Sequence, residues 1–234
     1  MLEGTTGGYV SSHALSYTGY RVMKGTVRLS SATINKAGMN VNPYVFMTSV
    51  NNYNSKSYFY DLGLIYIDNG YVTAGWYLCK NSSTNGFSTN QTTCVTPAGS
   101  PKDVELTFTY SMRNVSMSVK NLYTGTISTI SDVSQGYDTS QTYIGLSATT
   151  SFVPEVSKTT NALSIVSDIK SNASFKNVIW DNLRVATSAS TSYTYITPTS
   201  SKTNTIVVYD TDSTTYTYSG NRSTTSIWYN SAYK

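Results

Sequence analysis

Charge is scarce in this chain. Only 12% of its 234 residues are Asp, Glu, Lys or Arg, and the 16 basic and 12 acidic side chains are scattered, leaving a net charge of +4 with no run of Lys or Arg. A nucleic-acid backbone calls for a concentrated basic stripe, so nucleic acid is excluded as a partner. Histidine is limited to His13. A Ser-His-Asp triad would have to use it, yet it sits in a polar amino-terminal segment with no sign of a nucleophile elbow and reads as an exposed loop or edge residue. One histidine and two cysteines are too few for a zinc site, and no cofactor is expected. Asp68-Asn69-Gly70 and Tyr209-Asp210-Thr211-Asp212 lack the spacing of a calcium loop and read as turns. Glutamate occurs only as Glu3, Glu105 and Glu155, so a paired-carboxylate hydrolase would have to recruit an Asp or Glu155. No apolar run approaches the roughly 18 residues of a membrane-spanning helix. No signal-like apolar segment follows Met1, and residue 1 is expected to lie after a removed signal or anchor.

What is abundant is strand chemistry. Val, Ile, Thr, Phe and 21 Tyr suit a pleated, half-buried surface, and apolar residues recur with period two in one segment after another. In Asp103–Tyr110, Val104, Leu106, Phe108 and Tyr110 point one way and Glu105, Thr107 and Thr109 the other, so Glu105 is expected to face solvent. Val115, Met117 and Val119 repeat the pattern, which makes a hairpin that ends at the Thr124-Gly125 turn. A second hairpin is expected around Asn69-Gly70, joining Tyr60–Asp68 to Tyr71–Cys79 through a two-residue turn. Counting outward from a tight turn there sets Gly63 opposite Trp76 and Asp61 opposite Leu78, so that Asp61, Gly63, Trp76 and Leu78 would share one face. Further strands are expected at Tyr20–Ser30, Tyr44–Val50, Thr142–Ala148, Ser174–Val185, Thr205–Tyr209, Thr214–Tyr218 and Ser226–Asn230. Many short strands without helical crossovers imply an all-β antiparallel sandwich or jelly roll. Residues 1–234 are expected to form one domain, with the Ser/Thr-rich stretch Thr187–Thr203 leading to terminal strands that return to the same sandwich.

The low charge and hydroxyl-rich surface suit an exported protein, either secreted or displayed on a cell surface. Cys79 and Cys94 flank a polar stretch, and a disulfide between them would contribute about 3 kcal/mol by constraining the unfolded chain; two separate buried thiols are the alternative. Asn81, Asn90, Asn114, Asn172 and Asn221 each begin an Asn-x-Ser/Thr triplet and are candidate glycosylation sites. Trp76, Trp180, Trp228 and the tyrosines exceed what a sandwich core needs, which favours stacking on sugar rings.

Several segments, in order, resemble the eqolisins, the glutamic peptidases. Gly7-Gly8-Tyr9-Val10 resembles the family's opening motif, with Gly7 where its Trp would stand. Tyr60-Asp61-Leu62-Gly63 resembles the strand with the catalytic Gln, and Gly75-Trp76-Tyr77-Leu78 resembles the Ala-Trp-Tyr-Glu strand. Asn121-Leu122-Tyr123-Thr124-Gly125 is similar to the family's Asn-Leu-Thr-Thr-Gly turn. Thr160-Asn161-Ala162-Leu163-Ser164-Ile165-Val166-Ser167-Asp168 is similar to the segment with the catalytic Glu. The resemblance implies a concanavalin A-like sandwich of two curved sheets with a groove on its concave face. It places the family's Gln at Asp61, its Glu at Leu163 and the acidic residue near the Gln at Leu78. An eqolisin uses the Glu to activate water and protonate the leaving amine, and the Gln to hold the oxyanion; leucine does neither.

Two functions follow from these residues. The first is a non-catalytic binding or structural module on the outside of a cell. Its groove, with Asp61, Gly63, Trp76, Leu78 and Leu163, would take a glycan or an extended polypeptide; self-assembly into a filament, coat or virion is the structural variant. The second is an acid-active hydrolase, peptidase or polysaccharide-cleaving, that pairs Asp61 with Glu155 or Asp168.

Overall fold

The computed structural model describes residues 8–13, 20–38, 41–111, 113–135, 144–154, 173–187, 192–197, 203–207 and 212–229. In chain order the strands are β1 (Gly8–His13), β2 (Val22–Arg28), β3 (Thr33–Asn35), β4 (Val41–Tyr53), β5 (Lys56–Ile67), β6 (Gly75–Ser82), β7 (Gly86–Pro97) and β8 (Val104–Tyr110). They continue as β9 (Val115–Asn121), β10 (Ile127–Asp132), β11 (Ile144–Pro154), β12 (Ser174–Ala186), β13 (Thr194–Tyr195), β14 (Thr203–Val207), β15 (Asp212–Ser219) and β16 (Arg222–Tyr229). No helix occurs among the described residues. The chain is an all-β antiparallel sandwich. One sheet runs β14-β1-β11-β4-β5-β6-β7, and the other runs β10-β9-β8-β2-β12-β16-β15, with β3 and β13 also paired to β12.

The period-two alternation generates the core. Val104, Leu106, Phe108 and Tyr110 are all buried, and so are Val115, Met117 and Val119 on the neighbouring strand. They pack against Val45, Met47, Tyr60, Leu62, Leu64, Trp76, Leu78 and Phe152 from the seven-stranded sheet. The Thr124-Gly125 turn is in place, with Gly125 at φ +75°. Glu105 points outward and accepts from Lys24 at 2.8 Å and Arg184 at 3.0 Å.

The long strand β12 keeps its face only by means of two bulges. Its core residues Phe175, Val178, Trp180, Leu183 and Val185 twice skip a step of three. The pairing register shifts at the same two places, between Phe175 and Val178 and between Asp181 and Arg184. Asn177 and Asn182 absorb the extra residue with φ of 59° and 55°, a conformation Asn tolerates better than most side chains.

The β5–β6 hairpin departs from expectation. Asn69-Gly70 is not a two-residue turn but a bend inside a longer loop, where Gly70 has φ +80° and Asn69 Oδ1 accepts from Tyr71 N at 3.0 Å. Asp68 is held by Lys36. The strands resume pairing at Ile67 and Gly75, so Asp61 faces Asn81, Gly63 faces Cys79 and Tyr66 faces Trp76. The expected register is off by three residues. An odd slip turns every side chain to the other face, so Trp76 and Leu78 point into the core instead of sharing a face with Asp61 and Gly63. Trp76 packs edge-on to Tyr66 with ring centroids 5.6 Å apart and lies 5.8 Å from Phe175.

Candidate functional site

The outer face of the seven-stranded sheet, away from the core, collects the polar residues that alternate with core residues. Across β11, β4, β5 and β6 the register lines up Ser147, Thr48, Asp61 and Asn81 in one row, and the β1 backbone sets His13 opposite Ser147. One step along the strands lies the row Thr149, Phe46, Gly63 and Cys79, and the next is Ser151, Tyr44, Ile65 and Tyr77. This second face is itself recessed, since Ile65, Tyr77, Cys79, Thr149 and Ser151 are all buried. Ser151 Oγ, on a residue 1% exposed, has no hydrogen-bond partner among the described residues.

Gly63 makes this floor flat. A Cβ there would lie 2.2 Å from the Val45 carbonyl oxygen and 2.5 Å from Phe46 Cα, contacts that no side-chain movement relieves. Tyr44 and Phe87 come from strands separated by β5 and β6, yet their rings meet edge to face at 6.1 Å. Phe87 pairs with Asn81 at the end of the Asp61 row and Tyr44 stands two rows away, so the two rings lean together across the intervening Gly63–Cys79 row.

Asp61 is the carboxylate of this face among the described residues. Thr48 Oγ1 donates to its Oδ1 at 2.7 Å, and the Asn81 amide donates to it as well. Burial outweighs both bonds and pushes its pKa from 3.8 to about 6. A carboxyl group in this range is poised between a neutral acid that donates a hydrogen bond and an anion that only accepts. Burial, with the Asp61 charge second, raises the Cys79 thiol far above its ordinary range, so Cys79 is not a nucleophile at ordinary pH.

Asp61 and Gly63 lie in this recess, whereas Trp76 and Leu78 do not. Leu163, Glu155, Asp168 and Asn172 lie outside the described residues. The expected disulfide is absent: Cys79 and Cys94 are free thiols. Cys94 pairs with Tyr77, whereas Cys79 pairs with Thr89, because β7 slips by several residues between Asn90 and Cys94. Of the glycosylation candidates, Asn81 is turned to Asp61, where a glycan would fill the recess; Asn90, Asn114 and Asn221 are exposed. Among the described residues no cluster of three or more His, Cys, Asp or Glu could hold a metal ion. The sequence marks Asn81 only as a glycosylation candidate and does not single out Thr48, Ser147, Tyr44 or Phe87, because their place in or beside the Asp61 row depends on the true register.

The architecture matches solved structures over nearly its whole length. Scytalido-glutamic peptidase, crystallised with a transition state analog inhibitor, superposes with a TM-score of 0.55 at 14% identity, covering 98% of this chain and 100% of that one. The same enzyme with a peptide based transition state analog gives 0.53 at 14% identity, covering 96% and 98%. This chain has the glutamic-peptidase fold. Neither a protein-family model nor any curated protein sequence matches it. An identity of 14% carries the glutamic-peptidase architecture across and leaves the chemistry to be argued from the residues of this chain.

Proposed function

We propose that the chain is an exported, non-catalytic binding module of the glutamic-peptidase fold that takes an extended polypeptide on the outer face of its seven-stranded sheet. The observation that carries this reading is the row Thr48, Asp61 and Asn81, in which a single carboxyl near pKa 6 is flanked by neutral hydrogen-bonding groups. A peptide backbone alternates carbonyl acceptors with N–H donors. A row that offers hydroxyl, carboxyl and amide groups beside the Tyr44 and Phe87 rings suits it without opposing charge. The solved proteins of this fold named above hold transition state analog inhibitors, one of them peptide based, which favours polypeptide over glycan.

Catalysis is disfavoured by chemistry. Peptide hydrolysis needs a base for water and an acid for the leaving amine. The resemblance puts leucine at the family's Glu position, and Leu78, at its second acidic position, is turned into the core. The observation favouring the alternative, an acid-active hydrolase, is the same raised Asp61 pKa, since a carboxyl tuned upward suits general acid or base work. Export rests on the low charge and the exposed Asn-x-Ser/Thr triplets.

Incubation with a dye-labelled, reduced and alkylated unfolded protein at about pH 4.5 separates the readings. A rise in anisotropy with no change in polypeptide length is expected. Fragmentation that survives repurification and disappears in Asp61→Ala would replace the binding reading with the hydrolase.

A further inference from the structure

A second recess lies at the other end of β7 from Phe87, which closes the Asp61 row. Where the end of β7 and the segment 97–102 approach the β9–β10 turn, the two sheets leave a crevice of about 370 Å³, within the usual range of small-ligand sites. Its base is rigid. Asn121, a buried residue, donates from Nδ2 to the Val95 carbonyl at 3.1 Å across the sheets, while its Oδ1 accepts from the backbone N–H of Tyr123 at 2.9 Å and Thr124 at 3.1 Å. On the opposite wall Lys102 N donates to Thr96 Oγ1 at 2.7 Å. Both walls are thus fixed before any ligand arrives, which lowers the ordering cost of binding.

What the walls present is specific. Tyr123 stands 78% exposed on a turn whose backbone is locked beneath it. Lys102 Nζ lies over its ring, 4.6 Å from the centroid. No Asp or Glu lines the crevice, and Lys102 makes no ion pair among the described residues. The Thr93, Ser100 and Ser128 side chains, which complete the rim, make no hydrogen bond to other described residues. An aromatic face takes the C–H side of a sugar ring, free hydroxyls pair with sugar hydroxyls, and an ammonium whose partner is a ring face and not a carboxylate seeks an anion. A phosphate fits poorly, because the nearby N–H groups of Tyr123 and Thr124 are already spent on Asn121.

We propose that this crevice is a binding site for an acidic sugar, a hexuronic-acid unit stacked on Tyr123 with its carboxylate on Lys102. The site is separate from the Asp61 row and stands whether or not that row binds polypeptide. Titration of the full chain with D-glucuronate, and with D-glucose as the neutral control, tests it by amide chemical shifts, with Cys94 alkylation by iodoacetamide as a local reporter. Cys94 lines the crevice, and buried Cys79 is protected by its raised pKa. Glucuronate is expected to saturate in the millimolar range, shift the 121–126 amides and slow alkylation. Lys102→Met should weaken glucuronate about tenfold while leaving glucose unchanged, as loss of one charge-assisted contact predicts. Tyr123→Ala should weaken both sugars, and Asp61→Asn neither. Equal affinity for the two sugars, glucuronate binding indifferent to Lys102→Met and Tyr123→Ala, or no saturable binding would each overturn the proposal.

Discussion

Replacing Asp61 by Asn keeps the size and planarity of the side chain and leaves the Thr48 hydroxyl an oxygen to bond, while deleting the charge. Its effect on stability follows from the raised pKa. The carboxyl binds its proton more tightly in the folded chain, with pKa about 6 against an ordinary 3.8. Below the ordinary value it is neutral in both states and the substitution should be nearly silent. As pH rises from the ordinary value to the folded one, the unfolded chain ionises while the folded carboxyl keeps its proton, so the wild type loses stability, and the deficit is complete above about pH 6. At 1.36 kcal/mol per unit the full deficit is about 3 kcal/mol; imperfect accommodation of the Asn amide reduces the expected gain to about 2 kcal/mol. In a chain of this size that is a rise in melting temperature of roughly 4–8 °C. Thermal unfolding of both proteins at about pH 4 and pH 7.5, followed by circular dichroism, checks it. If Asp61→Asn is no more stable than wild type at the higher pH, or is more stable only at the lower one, the carboxyl is not desolvated as argued.

Gly63→Ala should destabilise by about 3 kcal/mol or more, visible as a lower urea midpoint, because the added methyl meets the backbone of Val45 and Phe46 rather than a movable side chain. Asp181 shows the opposite pH dependence. Burial pushes its pKa up, but hydrogen bonds from Arg222 and Arg28 prevail and hold it below 3.8. Asp181→Asn is therefore expected to lose about 1–3 kcal/mol at neutral pH, a loss that fades as pH falls through the folded pKa, in urea melts across pH. Intact-mass measurement before and after alkylation should count two free thiols, with Cys79 reacting only on unfolding; a protein lighter by two hydrogens that resists alkylation would restore the disulfide.

The sandwich was legible because alternation is a local signal. The run Val104 to Tyr110 shows which residues share a face without reference to any other strand, and the whole set is buried. The site was legible only in part, because it depends on how strands pair. Segment order singles out Asp61, but the residues placed beside it follow from a turn taken to be tight. Asn-Gly supports such a turn, yet the same dipeptide serves as a bend in a longer loop when its flanks prefer other contacts. Here Thr73 O accepts from the Tyr77 hydroxyl at 2.6 Å and Ala74 O from Ala98 N at 2.8 Å, holding 73–74 out of the ladder. Nothing in the local sequence announces the bond from Ala98. Cys94 was misplaced in the same way, because the slip in β7 is invisible until its pairing with β6 is known.

The raised pKa of Asp61 also makes the proposed binding a function of pH, in a form that separates a hydrogen-bond donor from a mere space-filler. A peptide carbonyl facing Asp61 is accepted by the neutral acid, whose O–H can donate, and repelled by the anion. The competent fraction is then the protonated one, and apparent affinity falls with that fraction. With a pKa of about 6, affinity is nearly unaffected at about pH 4.5 and about 30-fold weaker at about pH 7.5. Asn at this position donates at every pH, so Asp61→Asn should hold polypeptide with one affinity across the same range, close to that of the wild type in acid. Fluorescence anisotropy of the labelled unfolded protein against both variants measures this directly. A wild-type affinity that does not weaken toward neutral pH, or an Asp61→Asn variant that binds nothing in acid, would mean that no ligand carbonyl meets this side chain.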